Sequence, residues 1–181
     1  SIDSGDLVLW YQPKIDAKTS KVTSVEVLVR WIHHKHGMIF PDEFISLAER
    51  TGMIKNLTLW VLERALKETS AWRRQGLKLN VAVNLSTRNL LDPEFPSVVA
   101  DLLSTYDYPA SALKLEITET SIMADPEFAL QIVQRIADMG VTISIDDFGT
   151  GYSSLAYIKR LPVNELKIDR AFVMDMLNDE N

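Results

Sequence analysis

Five β-like runs in this chain alternate between an aliphatic and a polar set of residues, and helix-like stretches separate most of them. Side chains at i and i+2 share one face of a strand. Val25, Val27 and Val29 therefore oppose Glu26, Leu28 and Arg30. Leu79, Val81 and Val83 oppose Asn80, Ala82 and Asn84, and Leu113, Leu115 and Ile117 oppose Lys114, Glu116 and Thr118. Val141, Ile143 and Ile145 oppose Thr142, Ser144 and Asp146, and Leu166 and Ile168 oppose Lys167 and Asp169. A parallel sheet covered by helices on both sides needs strands that are apolar on both faces. One aliphatic and one polar face per strand fits a closed sheet, with helices outside and polar groups inside. The polar groups gather towards the strand ends, where (β/α) barrels carry their active sites. The pattern predicts an α/β fold, a TIM-like (β/α) barrel.

Six strands are legible, at residues 7–11, 22–31, 79–85, 113–117, 141–145 and 165–168. The first two are joined by a short polar stretch, residues 16–21, which predicts an antiparallel hairpin. From residue 79 onward strands and helices alternate, which predicts parallel pairing. A helix over 41–50 stops at Thr51-Gly52, and one over 56–75 carries Leu57, Trp60, Val61, Leu66 and Trp72 before Gly76. Asp92-Pro93 and Asp125-Pro126 each read as an N-cap followed by proline in the first turn. No repeat or linker interrupts the pattern, so residues 1–181 are expected to form a single domain. A full barrel has eight strands and typically about 250 residues. The domain is therefore expected to be incomplete at its C-terminus, with both ends of the chain cut from a longer protein.

Composition narrows the function. With 46% hydrophobic and 24% charged residues among 181, the chain is not a disordered segment. A formal net charge of -6 argues against a protein that coats DNA or RNA polymers. With 0 cysteines, disulfides, zinc–thiolate sites and cysteine nucleophiles are excluded. No apolar run approaches the roughly 20 residues of a membrane span.

The polar strand ends suggest specific chemistry. Glu26, Asn84, Glu116, Asp146 and Asp147 are four carboxylates and one amide. Brought together, the carboxylates cannot all stay ionised without cations. All-oxygen ligands suit magnesium, manganese or calcium rather than zinc. Paired carboxylates on adjacent strand ends suit two ions ~4 Å apart, an arrangement that serves in-line displacement at phosphorus. Lys167 would add a positive donor near the attacking water or the phosphate. Arg30, on the same face as Glu26, could hold a second phosphate by a forked contact.

With these residues in place, the sequence resembles the EAL domain family of cyclic di-GMP phosphodiesterases. The signature Glu-x-Leu-x-Arg stands here as Glu26-Val27-Leu28-Val29-Arg30, preceded by Tyr11-Gln12-Pro13. Asn84-Leu85-Ser86, Leu115-Glu116-Ile117-Thr118-Glu119, the run from Asp146-Asp147-Phe148-Gly149 to Leu155, and Leu166-Lys167-Ile168-Asp169-Arg170 follow in family order. The resemblance implies a modified TIM barrel that hydrolyses cyclic di-GMP to linear pGpG with two Mg²⁺ or Mn²⁺ ions. It implies that Glu26, Asn84, Glu116 and Asp146 bind one metal, and that Asp146 and Asp147 serve the second. Lys167 would orient the nucleophilic water, with Glu26, Lys167 and Asp147 forming the catalytic set. Gln12 and Arg30 would contact the substrate, and Glu119 would hold the loop from Phe148 to Ser154. The same resemblance implies a bacterial cytoplasmic location and a homodimer formed near that loop. It is compatible with sensory or diguanylate cyclase domains, or a membrane anchor, elsewhere in the parent protein.

Two departures from the family pattern stand out. Valine replaces alanine at position 27 of the signature, but Val27 faces away from Glu26. The family's later motifs, with a further glutamate and a glutamine, would lie beyond Asn181. The chain in isolation is therefore expected to be inactive and poorly stable, and the intact parent active. His33, His34 and His36 read as a polar loop rather than a metal site, and the Trp60/Trp72 stripe as core. Asp147-Phe148-Gly149 lacks the companion motifs of a protein kinase. Two function classes remain: a metal-dependent phosphodiesterase, and a receptor that binds cyclic di-GMP without cutting it. Loss of metal carboxylates would mark the receptor; Glu26, Asn84, Glu116, Asp146, Asp147 and Lys167 are all present, which favours the enzyme, while the receptor stays open through the motifs that would lie beyond Asn181. A protein–protein module independent of the nucleotide gives no reason for so many acids.

Overall fold

The computed structural model describes residues 5–149, 157 and 159–175. Strand β1 (Leu7–Ile15) turns through residues 16–21 into β2 (Val22–His33), and the two pair antiparallel. The Asp16 carboxylate closes that turn by accepting from the Lys18 and Thr19 backbone N–H groups. Then come β3 (Gly37–Ile39), α1 (Pro41–Thr51), α2 (Ile54–Arg74), β4 (Asn80–Asn84), α3 (Thr87–Leu90) and α4 (Phe95–Thr105). A short 3₁₀ turn leads to β5 (Leu113–Thr118), α5 (Glu119–Met123), α6 (Pro126–Asp138), β6 (Thr142–Phe148), β7 (Glu165–Ile168) and α7 (Arg170–Asp175).

One mixed sheet of seven strands runs β1-β2-β4-β5-β6-β7, with β3 hanging off β2. Every pair from β2–β4 to β6–β7 is parallel. The order follows the chain without the reversal that defines a doubly wound sheet. It is the winding of a barrel wall, and all six expected strands stand in it. The fold is TIM-like, with an antiparallel first strand.

From β2 to β6 the period-2 faces divide as the sequence predicts, whereas in β7 the aliphatic pair stays exposed, Leu166 at 44% and Ile168 at 66%. Val25, Val27, Val81, Leu113, Leu115, Ile117, Ile143 and Ile145 are all buried in one core cluster. They pack under Leu62 and Leu66 of α2 and Ile132 and Ile136 of α6, each at most 2% exposed. Val27, the residue that departs from the family signature, is 3% exposed within this core. Trp60 and Trp72 lean on the same cluster, and Trp72 meets Tyr11 edge-on at 4.5 Å.

Helix boundaries follow local chemistry, except at the start of α4. Gly52 ends α1 at φ 76°, a left-handed cap that glycine adopts without strain. The Asp125 carboxylate caps α6 by accepting from the Phe128 N–H. Asp92 does not start the next long helix. Its carboxylate pairs with Lys55 at 2.8 Å and accepts from Glu94 N–H, and α4 begins only at Phe95. Strand β1 also runs four residues beyond the expected end at Tyr11. The short β3 was not legible in its polar surroundings.

Candidate active site

The polar faces converge on the interior of the sheet. In the β1–β2 ladder Gln12 stands opposite Glu26. In the parallel pairs Asn84 stands level with Glu116, and Thr118 with Asp146. Carboxylate oxygens of Glu26, Glu116 and Asp146 all lie within 4.8 Å of one another. Asn84 Nδ2 donates to Glu26 Oε1 at 3.4 Å. Asn84 thus belongs to the same cluster, at the open end of β4.

Lys167 ties the acids together. Its Nζ lies 2.6 Å from Asp146 Oδ2, 2.9 Å from Glu116 Oε2 and 3.4 Å from Glu26 Oε2. Burial would lower its pKa, but the hydrogen bonds to Asp146 and Glu116 outweigh burial and raise it well above the ordinary lysine value. Among these three acids Lys167 is held as an ammonium donor. Burial pushes Glu26 up, and the ammonium groups of Lys167 and Lys14 more than offset it, so its pKa lies below the usual glutamate value.

A second lysine sits in the cluster, and the sequence reading missed it. Lys14 Nζ is 2.6 Å from Glu116 Oε1 and 3.2 Å from Glu26 Oε2. It shares the face of Gln12, two residues earlier, and the period-2 argument would have found it had β1 been read past Tyr11. Beneath this layer Lys114 pairs with Glu165, and Ser144, fully buried, donates to Glu165. The interior is thus a stack of paired charges rather than an aliphatic fill.

Asp147 stands apart from the three-carboxylate group. The irregularity between β6 and β7 falls at this point, and Asp147 takes φ 52°. A left-handed turn is tolerable for aspartate. Its N–H donates to Asp146 Oδ1 at 2.9 Å. Burial, then the neighbouring Asp146 and Asp169, push its carboxyl above the ordinary aspartate range. Two residues on, Gly149 N–H donates to Glu119 Oε2 at 3.1 Å, and Glu119 is 3% exposed. Glu119 therefore anchors the start of the loop after β6. Beyond Gly149, the loop to Ser154 lies outside the described residues, and so does the expected dimer contact.

Arg30 reaches a different part of the same end. Its guanidinium lies 5.2 Å over the Trp10 ring, and Nη1 donates to Val29 O. With Asn84, Ser86, Thr118 and Ser121, and with Val27, Val29, Leu57 and Val61, it lines a cavity of about 420 Å³ that meets the acid cluster through Asn84. The volume falls in the range of ligand clefts. Gln12 is exposed on β1. His33 stacks on His34 and meets His36 at a tilt, and among the described residues only Glu26, Glu116 and Asp146 form a group suited to a metal.

This donor set fits a divalent cation. Its ligand atoms are carboxylate and amide oxygens, the choice of magnesium, manganese and calcium. It sits beside a cleft that holds an arginine and several hydroxyls. Such a site can bind an anionic substrate and place a positive donor, Lys167, at the reacting group.

A family model described as EAL domain matches residues 1–181. The chain is 43% identical over 182 residues to the bifunctional diguanylate cyclase/cyclic di-GMP phosphodiesterase MucR of Pseudomonas aeruginosa. That match covers 100% of this chain and 27% of MucR. It is also 43% identical over 171 residues to the cyclic di-GMP phosphodiesterase NbdA of the same organism, covering 94% of this chain and 22% of that protein. A solved structure of the PaMucR phosphodiesterase in complex with c-di-GMP superposes with a TM-score of 0.91 at 44% identity. It covers 96% of this chain and 71% of that one. The chain thus spans about a quarter of the length of these curated relatives.

Proposed function

The chain belongs to the EAL domain family, and from that premise we propose that it forms the catalytic wall of a metal-dependent phosphodiesterase that opens cyclic di-GMP to linear pGpG. The observation that carries the reading is the convergence of Glu26, Glu116 and Asp146 on one ammonium, Lys167. Six family positions from five strands meet, or stand next to one another, at one end of the sheet.

Glu26, Asn84, Glu116 and Asp146 would hold one divalent ion, and Asp146 with Asp147 a second, with Mg²⁺ or Mn²⁺ as the fitting ions. When bound, such ions supply positive charge to the phosphodiester oxygens and lower the pKa of water. The protein's own groups supply position. Lys167, charged throughout the neutral range, donates to the attacking water or to the phosphate oxygen beside it. Arg30 presents its remaining N–H groups to the cavity, where they meet the second phosphate of the cyclic dinucleotide. Gln12, across from Glu26, contacts the substrate from β1. Glu119, by fixing Gly149, sets the backbone that carries Asp146 and Asp147. Water attacks one phosphorus, the 3′ oxygen leaves with a proton, and a 5′-phosphate end remains.

The reading extends to a single domain over residues 1–181 continuing beyond them in the parent protein, a cytoplasmic location, and a homodimer. Attached sensory or cyclase domains are in keeping with the cyclase half named for the MucR relative. Among the described residues no helix is long and apolar enough to cross a membrane. The test is turnover of cyclic di-GMP by the intact protein, with magnesium and with a chelator, resolved by chromatography for pGpG. Magnesium-dependent pGpG is the expected result. A folded, intact protein that binds the dinucleotide without making pGpG would overturn the reading in favour of a receptor.

A further inference from the structure

The cluster contains one more cation than the proposed chemistry uses. Lys14 places its ammonium between Glu116 and Glu26, at 2.6 and 3.2 Å. These are two of the three carboxylates whose oxygens could hold a metal. The Glu116 side chain is 0% exposed, so its charge has no recourse to water and needs a cation at all times. Lys14 and Lys167 supply two positive charges against the three negative charges of Glu26, Glu116 and Asp146.

Charge balance then limits what can enter. With both ammonium groups in place the cluster carries about one net negative charge. A divalent ion that takes oxygens of Glu26 and Glu116 competes with the ammonium groups already on them, and the two lysines differ in how many acids hold them. Lys167 contacts three carboxylates. Lys14 contacts two of the three, and it projects from β1, an end strand of the sheet among the described residues. Exposure does not separate the two, at 26% for Lys14 and 24% for Lys167, so the difference lies in the number of carboxylates each one holds.

We propose that Lys14 is a tethered stand-in for the metal: its ammonium holds Glu26 and Glu116 together in the metal-free protein, and a divalent cation must displace it to bind. Lys14 is a positioning residue, and it sets the cation concentration at which the site fills. The inference rests on the reading that this cluster binds divalent metal, and it adds a residue and a direction to it. Removing the ammonium destabilises the metal-free state, so binding tightens. A lysine that merely supported the site would give the opposite sign.

The experiment uses the intact protein stripped of metal, with Lys14→Met and Lys14→Arg as variants. Mn²⁺ binding is followed by loss of the free-ion electron paramagnetic resonance signal, without substrate. Lys14→Met is expected to bind Mn²⁺ about tenfold more tightly, the scale of one charge-assisted hydrogen bond. It is also expected to melt lower in chelator and to regain wild-type stability when Mn²⁺ is saturating. Lys14→Arg keeps the charge and should stay near the wild-type affinity. Pulsed acylation of the wild-type protein, read by mass spectrometry at Lys14, tests displacement without any variant: labelling should rise when Mn²⁺ is added. Equal or weaker binding by Lys14→Met, unchanged labelling, or no Mn²⁺ binding by either protein overturns the proposal. Wild-type turnover of cyclic di-GMP is scored separately. A protein that binds Mn²⁺ with the Lys14 signature but makes no pGpG sinks the phosphodiesterase reading alone.

Discussion

Replacing Lys167 with methionine removes the charge that three carboxylates share while keeping all but the last atom of the side chain's length. Its Nζ stands 2.6 Å from Asp146, 2.9 Å from Glu116 and 3.4 Å from Glu26. Removing one partner from a fully buried ion pair costs about 3–5 kcal/mol. Here the cost is reduced twice. The side chains of Lys167, Asp146 and Glu26 are 24%, 20% and 16% exposed, so water reaches part of the cluster. Lys14 also remains on Glu116. The metal-free Lys167→Met protein should therefore lose about 2–3 kcal/mol of stability. A saturating divalent cation restores positive charge to the acids, so the loss should shrink when Mg²⁺ is present. Turnover should fall by about 10²–10³, the cost of deleting one donor aimed at developing charge. The assay is urea unfolding of wild type and variant, in chelator and in magnesium, paired with initial rates of pGpG formation. A stability loss below about 0.5 kcal/mol in chelator, the range of an ordinary surface substitution, would refute the argument that Lys167 holds the cluster. An unchanged kcat at saturating metal would refute its role at the reacting group.

Three further outcomes follow from the same geometry. In the metal-free protein, Glu26 has a folded pKa below the ordinary 4.5, so its contribution is intact above that value and lost as pH falls through the folded one. Lys167, raised above 10.5, contributes fully below 10.5 and loses its effect as pH rises through its folded value. Urea midpoints across pH should show both limbs, with Glu26→Gln flattening the acid one and Lys167→Met the alkaline one. Glu119→Ala frees the Gly149 N–H and should cost about 1–3 kcal/mol in urea unfolding. It should also weaken Mn²⁺ binding, because Asp146 and Asp147 lead into that residue. Ile143→Ala, at 0% exposure on the aliphatic face of β6, should cost about 2–5 kcal/mol in urea and leave metal affinity unchanged.

The sequence by itself determined which face of each strand is aliphatic, because side-chain alternation is a local property of extended backbone. It thereby placed Glu26, Asn84, Glu116, Asp146 and Lys167 on the inner wall, and the motif order pointed to the family. It also read the Gly52 and Asp125 helix boundaries, since caps depend on neighbours a few residues away. What it could not determine is anything set by contacts across the fold. Asp92 reads as a cap but is taken by Lys55, 37 positions away. The length of β1 is fixed by its pairing with β2 rather than by its own pattern, and that hid Lys14. Its two carboxylate partners come from β2 and β5 and meet only when the sheet curves. Whether an acid cluster is empty of cations or already filled by ammonium groups is decided in three dimensions, because charges separated by a hundred residues balance one another only at the distances the tertiary structure sets.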